Sequence, residues 1–318
     1  MSNACLNEDH VTKSGKHVGG FILGELALYK SQNKQELELA LKKLLSEKAG
    51  TEEDIRSNKN SIAVTYIKLG RLEEAEKILS ELLKKYPEDY SITINLGTLY
   101  ELQGENAKAL KFIKKAIAIN PDSHYGSEWF HIKILEFKLK NIPDDQIAGK
   151  NILGLYSMNK PASTIGYDVS YQLQERVPFT PAPNILMAKV MQEFADFLAD
   201  SISIKGAYVF YEIGMDFDRR NILKLAEKRD ALVPYFKKYK EIIPFTGNYY
   251  LDAVASAIDN NKTEIANTLL EKGLDYLKQQ EEKKKAESRQ MQYLFFGGAG
   301  LCALVTGIFF YRRKKQSA

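Results

Sequence analysis

Four histidines could in principle bind a metal or move a proton: His10, His17, His124 and His131. Their spacing never forms the His-Glu-x-x-His pattern of helical zinc sites, and no cysteine accompanies them. His124 and His131 stand seven residues apart, two turns along one face if a single helix runs through both. Histidines on helix surfaces are far commoner than ligands, so we predict no metal site. The sequence also contains no phosphate loop or dinucleotide fingerprint, and we predict no cofactor.

Paired acids are a second source of chemistry. Asp144-Asp145 and Asp216-Phe217-Asp218 both fall in predicted turns, and neither has an identifiable partner acid or base. An enzyme would need a pocket in the aromatic second half, around Tyr208, Tyr211, Asp216 and Asp218. Aromatic residues at helical spacing more often form core, so we predict a protein without catalysis of its own and keep this enzyme as the weakest alternative.

The charge distribution argues against general nucleic-acid binding. The 318 residues carry 45 Lys and Arg against 41 Asp and Glu. The excess comes from Arg312, Arg313, Lys314 and Lys315, and residues 1–311 balance at 41 of each sign. A basic tail is therefore present, but no basic face is indicated. Cys5 and Cys302 lie at opposite ends of the chain, which excludes a disulfide framework and a cysteine zinc site.

Residues 293–311 predict a transmembrane helix. This stretch, YLFFGGAGLCALVTGIFFY, has no charge and has aromatic residues at both ends. As a helix it would be ~28 Å long, close to the thickness of a bilayer's hydrocarbon core. The charged stretch 281–292 precedes it as a solvated stalk, and the basic tail 312–318 follows. Small residues four apart would allow two such helices to pack closely: Ala299, Ala303 and Gly307.

The membrane orientation stays open. Cations on the two sides of the span balance, with Lys283, Lys284, Lys285 and Arg289 opposing the four in the tail. Residues 1–5, MSNAC, resemble those around a signal-peptide cleavage site, so segment 1–33 is interpreted as a remnant of such a region. The helical domain would then be exported, periplasmic or extracytoplasmic, with a cytoplasmic tail. A cytoplasmic domain is the alternative.

A 34-residue repeat aligns residues 56–87 with residues 90–121. The alignment pairs small, aromatic, glycine, alanine and proline residues in the same order: Ala63 with Gly97, Tyr66 with Tyr100, Gly70 with Gly104, Ala75 with Ala109, and Pro87 with Pro121. The small residues allow two helices to approach, the tyrosines fill the space between helices, and each proline stops a helix. Gly70 and Gly104 are predicted to take a left-handed backbone at a helix end.

The two blocks resemble tetratricopeptide repeats, whose period is 34 residues with these residue types at these places. The resemblance implies helical hairpins stacked into a solenoid with a concave groove that binds a protein or peptide. It implies eight groove-lining positions on the first helices: Asn60, Val64, Ile67, Lys68, Ile94, Asn95, Thr98 and Glu101. The subclass that binds chaperone C-termini uses a Lys-Asn-Asn-Lys-Arg clamp, and only Asn95 matches it. Asn60, Val64, Tyr125 and Trp129 occupy the other positions.

The rest of the chain predicts further helices with one interruption. Residues 34–142 form the repeat region, with an amphipathic helix at 34–47 and a degenerate third start at 127. Residues 143–184, with Pro161 and three prolines at 178–183, predict an irregular linker. Residues 185–280 predict a helical second half, with helices at 185–202, 204–217, 221–243, 249–259 and 262–279.

The predicted fold is all-α: a tetratricopeptide-type helix-hairpin solenoid, further degenerate helical hairpins and a single C-terminal transmembrane helix. The predicted function is a membrane-anchored scaffold or adaptor that binds a protein or peptide in its groove. A structural protein that forms homo-oligomers through its anchor and aromatic second half is the alternative.

Overall fold

A computed structural model of the chain describes residues 9–19, 34–47 and 50–241, and these residues are mostly helical. The helices are α1 Lys34–Ser46, α2 Glu52–Lys68, α3 Leu72–Lys85, α4 Tyr90–Leu102, α5 Asn106–Ile119, α6 Trp129–Lys138, α7 Ala162–Arg176, α8 Ile185–Ser201, α9 Ile204–Phe217, α10 Leu225–Asp230 and α11 Val233–Tyr239. Two short strands, β1 Asp9–Val11 and β2 His17–Gly19, pair antiparallel.

Helices α2/α3 and α4/α5 are the two hairpins that the repeat predicts. The three predicted close-contact alanines, Ala63, Ala75 and Ala109, are completely buried. A Cβ added to Gly97 would lie 2.4 Å from the Ile113 side chain, so only glycine allows α4 to approach α5 this closely. Tyr100 is buried between the helices. These contacts join both hairpins in one apolar core.

The helix ends follow local sequence signals. Gly70 and Gly104 take φ values of +74° and +82°, as predicted, and the next residue's N–H bonds back to the helix: Arg71 N to Tyr66 O is 2.9 Å. This is the hydrogen-bond pattern of a Schellman cap. Helices α3 and α5 each end two residues before a proline, Pro87 or Pro121. At the start of α2, the Thr51 and Asp54 side chains form a capping box.

The prediction of an irregular linker at 143–184 is wrong for residues 162–176. The structure places α7 inside this stretch, and Ile165, Val169 and Leu173 of α7 are buried in the core of the second half. Prolines do not prevent this helix, because Pro161 lies at its start, where no intrahelical N–H is needed.

Helices α8 and α9 form the centre of the second core, with the predicted bounds shifted by at most one residue. The predicted helix 221–243 is divided into α10 and α11, and Pro234 lies in the first turn of α11. Proline has no N–H to continue the preceding helix, which accounts for the break.

The β1–β2 hairpin was not predicted, since the sequence indicates no element within 1–33. It packs on the second half: Lys13 N donates to Ala199 O at 2.8 Å, and the Tyr239 hydroxyl donates to Lys13 O at 2.9 Å. Val11 is buried in the same core.

Within residues 9–19, 34–47 and 50–241, no helix is long and apolar enough to cross a bilayer. The predicted transmembrane helix 293–311, with its small residues Ala299, Ala303 and Gly307, lies outside the described residues, as do the stalk 281–292, the tail 312–318 and the predicted helices 249–259 and 262–279.

Candidate functional site

The first helices of the two repeats present a row of accessible side chains. On α4, Asn95 and Thr98 are half-buried, and the matching row on α2 contains Asn60, Val64 and Lys68, of which Lys68 is exposed. The Asn95 amide donates to Asn60 Oδ1 at 3.0 Å and links the two helices across this surface. These five residues are called the groove row below. The row is polar with one apolar position, which suits a peptide better than a small hydrophobic ligand.

Three predicted lining residues do not reach the surface. Ile67, Ile94 and Glu101 are only 5%, 6% and 7% exposed. Helix α4 is packed by α2, α3 and α5, so only a narrow stripe of its circumference stays open. The expectation that these three residues are accessible is therefore wrong.

Glu101 is instead the centre of a buried ionic network. Arg176 of α7 makes two hydrogen bonds to its carboxylate, at 2.5 and 3.1 Å, while Lys138 Nζ at 2.6 Å and His131 Nε2 at 2.5 Å approach from α6. Burial alone would raise the pKa of Glu101, but the charges of Arg176 and His131 hold that pKa well below its usual range. Sequence reasoning missed this network because its partners come from three helices.

Helix α7 packs beyond the second repeat, against the position that follows it in the repeat pattern. Trp129 follows Asn95 by 34 residues and so occupies the equivalent position of the degenerate third repeat. Its indole Nε1 donates to Asp168 of α7 at 2.7 Å, and Lys160 Nζ binds the same carboxylate at 2.7 Å. Gln172 of α7 also donates to Ser127 Oγ at 2.9 Å. The chain's own helix therefore covers the position where a third repeat would continue the groove.

His124 and His131 do not share a helix. His124 lies in the 3-10 turn Ser123–Gly126, where its φ is +48°, and His131 lies in α6. Both approach Glu128: His124 through a short hydrogen bond, and His131 with Nδ1 3.6 Å from Oε2. Burial opposes ionisation of Glu128, but the hydrogen bond with His124 and the nearby His131 imidazole lower its pKa to about 2. The hydrogen bond with Glu128 raises the pKa of His124.

In the described part of the chain, no group of three or more His, Cys, Asp or Glu side chains could hold a metal.

The residues considered for an enzyme have separate structural contacts. The Tyr211 hydroxyl bonds to Asp196, and Asp218 accepts from the Ile222 and Leu223 N–H groups at 2.9 and 2.7 Å. The Tyr208 ring packs under the Arg229 guanidinium, 5.6 Å away. Asp216 is exposed. Asp144 pairs with Arg220 at 2.5 Å on the surface. These contacts stabilise turns and helix packing.

Residues 61–124 match the family model described as tetratricopeptide repeat. The match covers most of the two predicted repeats and supports the resemblance seen in the sequence. Repeats of this kind generally mediate protein–protein interaction. No curated protein matches the chain.

Proposed function

We propose that this chain is a scaffold or adaptor that holds a protein or peptide partner along the groove row of α2 and α4. The observation that supports this most directly is the row itself: Asn60, Val64, Lys68, Asn95 and Thr98 remain accessible on two adjacent first helices, whereas Ile67, Ile94 and Glu101 of the same helices are buried. Repeat hairpins stack into surfaces of this kind, and short peptides bind to them through spaced side-chain contacts.

The groove is short because α7 covers the third position at Trp129. A partner would therefore contact two repeats, which favours a short peptide segment over a long helix. The row contains amide, hydroxyl and aliphatic groups and the Lys68 ammonium. Such a peptide would bind through backbone hydrogen bonds to Asn95 and Asn60 and through an apolar side chain against Val64.

The membrane attachment is part of the same proposal. The uncharged stretch 293–311 and the basic residues that follow it are typical of a membrane anchor. Anchoring would concentrate the bound partner at the bilayer. Either orientation is compatible with the groove, because the stalk 281–292 would separate the repeats from the membrane.

The test is to select, from a random phage-displayed library, peptides that bind the full-length chain in detergent micelles. We expect selected peptides to lose at least about tenfold in affinity when Val64→Arg or Thr98→Arg introduces a bulky cation into the groove row. Ala118→Arg is the matched control, because Ala118 is exposed on α5, the outer helix of the repeat. Circular dichroism confirms that each variant is folded. Peptides that bind all three variants equally would refute the groove as the binding site.

A further inference from the structure

A tyrosine-rich surface lies where the turn 123–126 meets α7, and we call Tyr125, Tyr171 and Glu175 the tyrosine rim. Tyr125 is 85% exposed, the most exposed of the large hydrophobic side chains in the described part of the chain. Its ring meets that of Tyr171 edge to face, with centroids 5.6 Å apart and planes at 84°. This arrangement leaves ring surface of Tyr125 open to solvent.

The backbone that holds Tyr125 outward has an unfavourable conformation. His124 and Tyr125 have φ values of +48° and +58°, a left-handed conformation that side chains with a Cβ avoid. The turn is held by the Ser127 hydroxyl, which donates to His124 O at 2.6 Å, and by the hydrogen bond between His124 and Glu128. The structure thus stabilises a strained turn whose effect is to present an aromatic ring.

The charges around the rim are negative. Residues 121–128 and 171–175 include Asp122, Glu128 and Glu175 but no lysine or arginine. Asp122 and Glu175 are exposed, and neither makes a salt bridge within the described residues. The cations that lie close have other partners: Arg176 binds Glu101, and His124 binds Glu128 behind the rim. Open aromatic faces beside unpaired carboxylates are the chemistry that recognises a cation.

The rim lies next to the groove row in the order of the repeat. Tyr125 follows Ser91 of α4 by 34 residues, and the structure places it in the turn just before α6. A peptide lying across α4 would reach Tyr125 and Tyr171 at the end of the groove beside α7.

We infer that the tyrosine rim binds a lysine or arginine side chain of the partner peptide. The inference rests on the proposed function, since it assigns the chemistry of one position in the ligand of the same groove. The cation would lie on the open ring face of Tyr125, with Glu175 supplying the opposite charge.

The experiment uses the peptides selected above, synthesised with a fluorescein label and with each lysine or arginine replaced in turn by norleucine or citrulline. We expect enrichment of one basic position, and its replacement should weaken binding to the full-length chain by about 3- to 30-fold. The replacement should have little effect on binding to Tyr125→Ala or Glu175→Gln. The control variants are Tyr156→Ala and Glu227→Gln, exposed residues outside the groove row and the tyrosine rim, and they should bind as the unmodified chain does.

Two outcomes would contradict the inference in distinguishable ways. Peptides that depend on Val64 and Thr98 but tolerate loss of every cation would overturn the assignment of the rim and leave the groove intact. Absence of any peptide that depends on Val64 or Thr98 would remove the proposed function and this inference with it.

Discussion

Arg176 and Glu101 form a bidentate ion pair that joins α7 to the second repeat, and the two residues are 75 positions apart in the sequence. Both side chains are largely buried, at 13% and 5% exposure. The pair therefore connects the repeat domain to the second half and places α7 beside the groove. Five testable predictions concern this pair, the histidines near it, and the packing of helices in the repeats and against α7.

Removing Arg176 should strongly destabilise the chain. Arg176→Ala leaves the buried Glu101 carboxylate with one fewer counter-charge, and loss of one partner from a buried pair typically costs about 3–5 kcal/mol. Arg176→Lys should recover only part of this, because lysine cannot make both hydrogen bonds. Urea denaturation measures the effect. The control is Lys85→Ala, which removes an exposed pair with Glu52 and should change the free energy of unfolding little.

The stability contributed by His124 should depend on pH. The pKa of His124 is raised by its hydrogen bond to Glu128, so its contribution is fully present below about 6.5, the unfolded value, and is lost as pH rises through the folded pKa. The unfolding free energy of the unmodified chain relative to His124→Asn should therefore fall between pH 6 and pH 8.5. A difference that stayed constant over this range would contradict the pairing.

Glu128 should make the free energy of unfolding depend on pH in the acid range. Its pKa is lowered to about 2, so its contribution is present above the unfolded value of about 4.5 and decreases as pH falls toward the folded value. Denaturation of the unmodified chain and Glu128→Gln from pH 6 to pH 3 tests this. The two stabilities should converge at the acid end, and parallel curves would show that the carboxylate is not held by the histidines.

Gly97→Ala should destabilise the second repeat. The added Cβ would lie 2.4 Å from Ile113 Cδ1 and 3.3 Å from the Ile113 backbone nitrogen, so α4 and α5 would have to separate. Overpacking of this kind costs about 1–3 kcal/mol. Adding Ile113→Val removes the nearest atom and should restore part of the stability. Gly149→Ala is the matched control, since a Cβ there meets nothing within 4 Å.

Trp129 is the single tryptophan of the chain, so its fluorescence reports the contact between α6 and α7. Asp168→Ala removes the acceptor of the indole N–H and leaves Lys160 unpaired. We expect an emission shift to longer wavelength and a loss of about 1–3 kcal/mol of stability. Asp145→Ala, in an exposed turn, serves as control. An unchanged spectrum would show that α7 does not cover Trp129 in solution.

Much of the repeat region could be predicted from sequence because its signals are local. Glycine at 70 and 104 permits a left-handed helix end, and small residues at 63, 75 and 109 mark close helix contacts. Each signal depends on neighbours within one hairpin, and a period of 34 repeats it. The family match over residues 61–124 rests on the same pattern.

The candidate site was only partly predictable. Asn95 and Thr98 are accessible as expected, whereas Ile94 and Glu101 are buried, although all four lie on the same predicted helix. Which side of α4 stays open depends on α2, α3 and α5, which pack around it, and Glu101 is also held by Arg176 from the stretch interpreted as a linker. The prolines of that stretch suggested irregular structure, but the apolar side chains that α7 buries in the core stabilise a helix there.

The sequence by itself thus determined the helical hairpins, their register and the residues that let them pack, because these features arise from backbone preferences and short-range spacing. Only the tertiary structure decided that α7 covers Trp129, that Glu101 is a buried ionic centre and that Tyr125 faces outward. Those outcomes depend on contacts between residues such as Glu101 and Arg176. Such residues are far apart in the sequence, and nothing in the local sequence around either one identifies its partner.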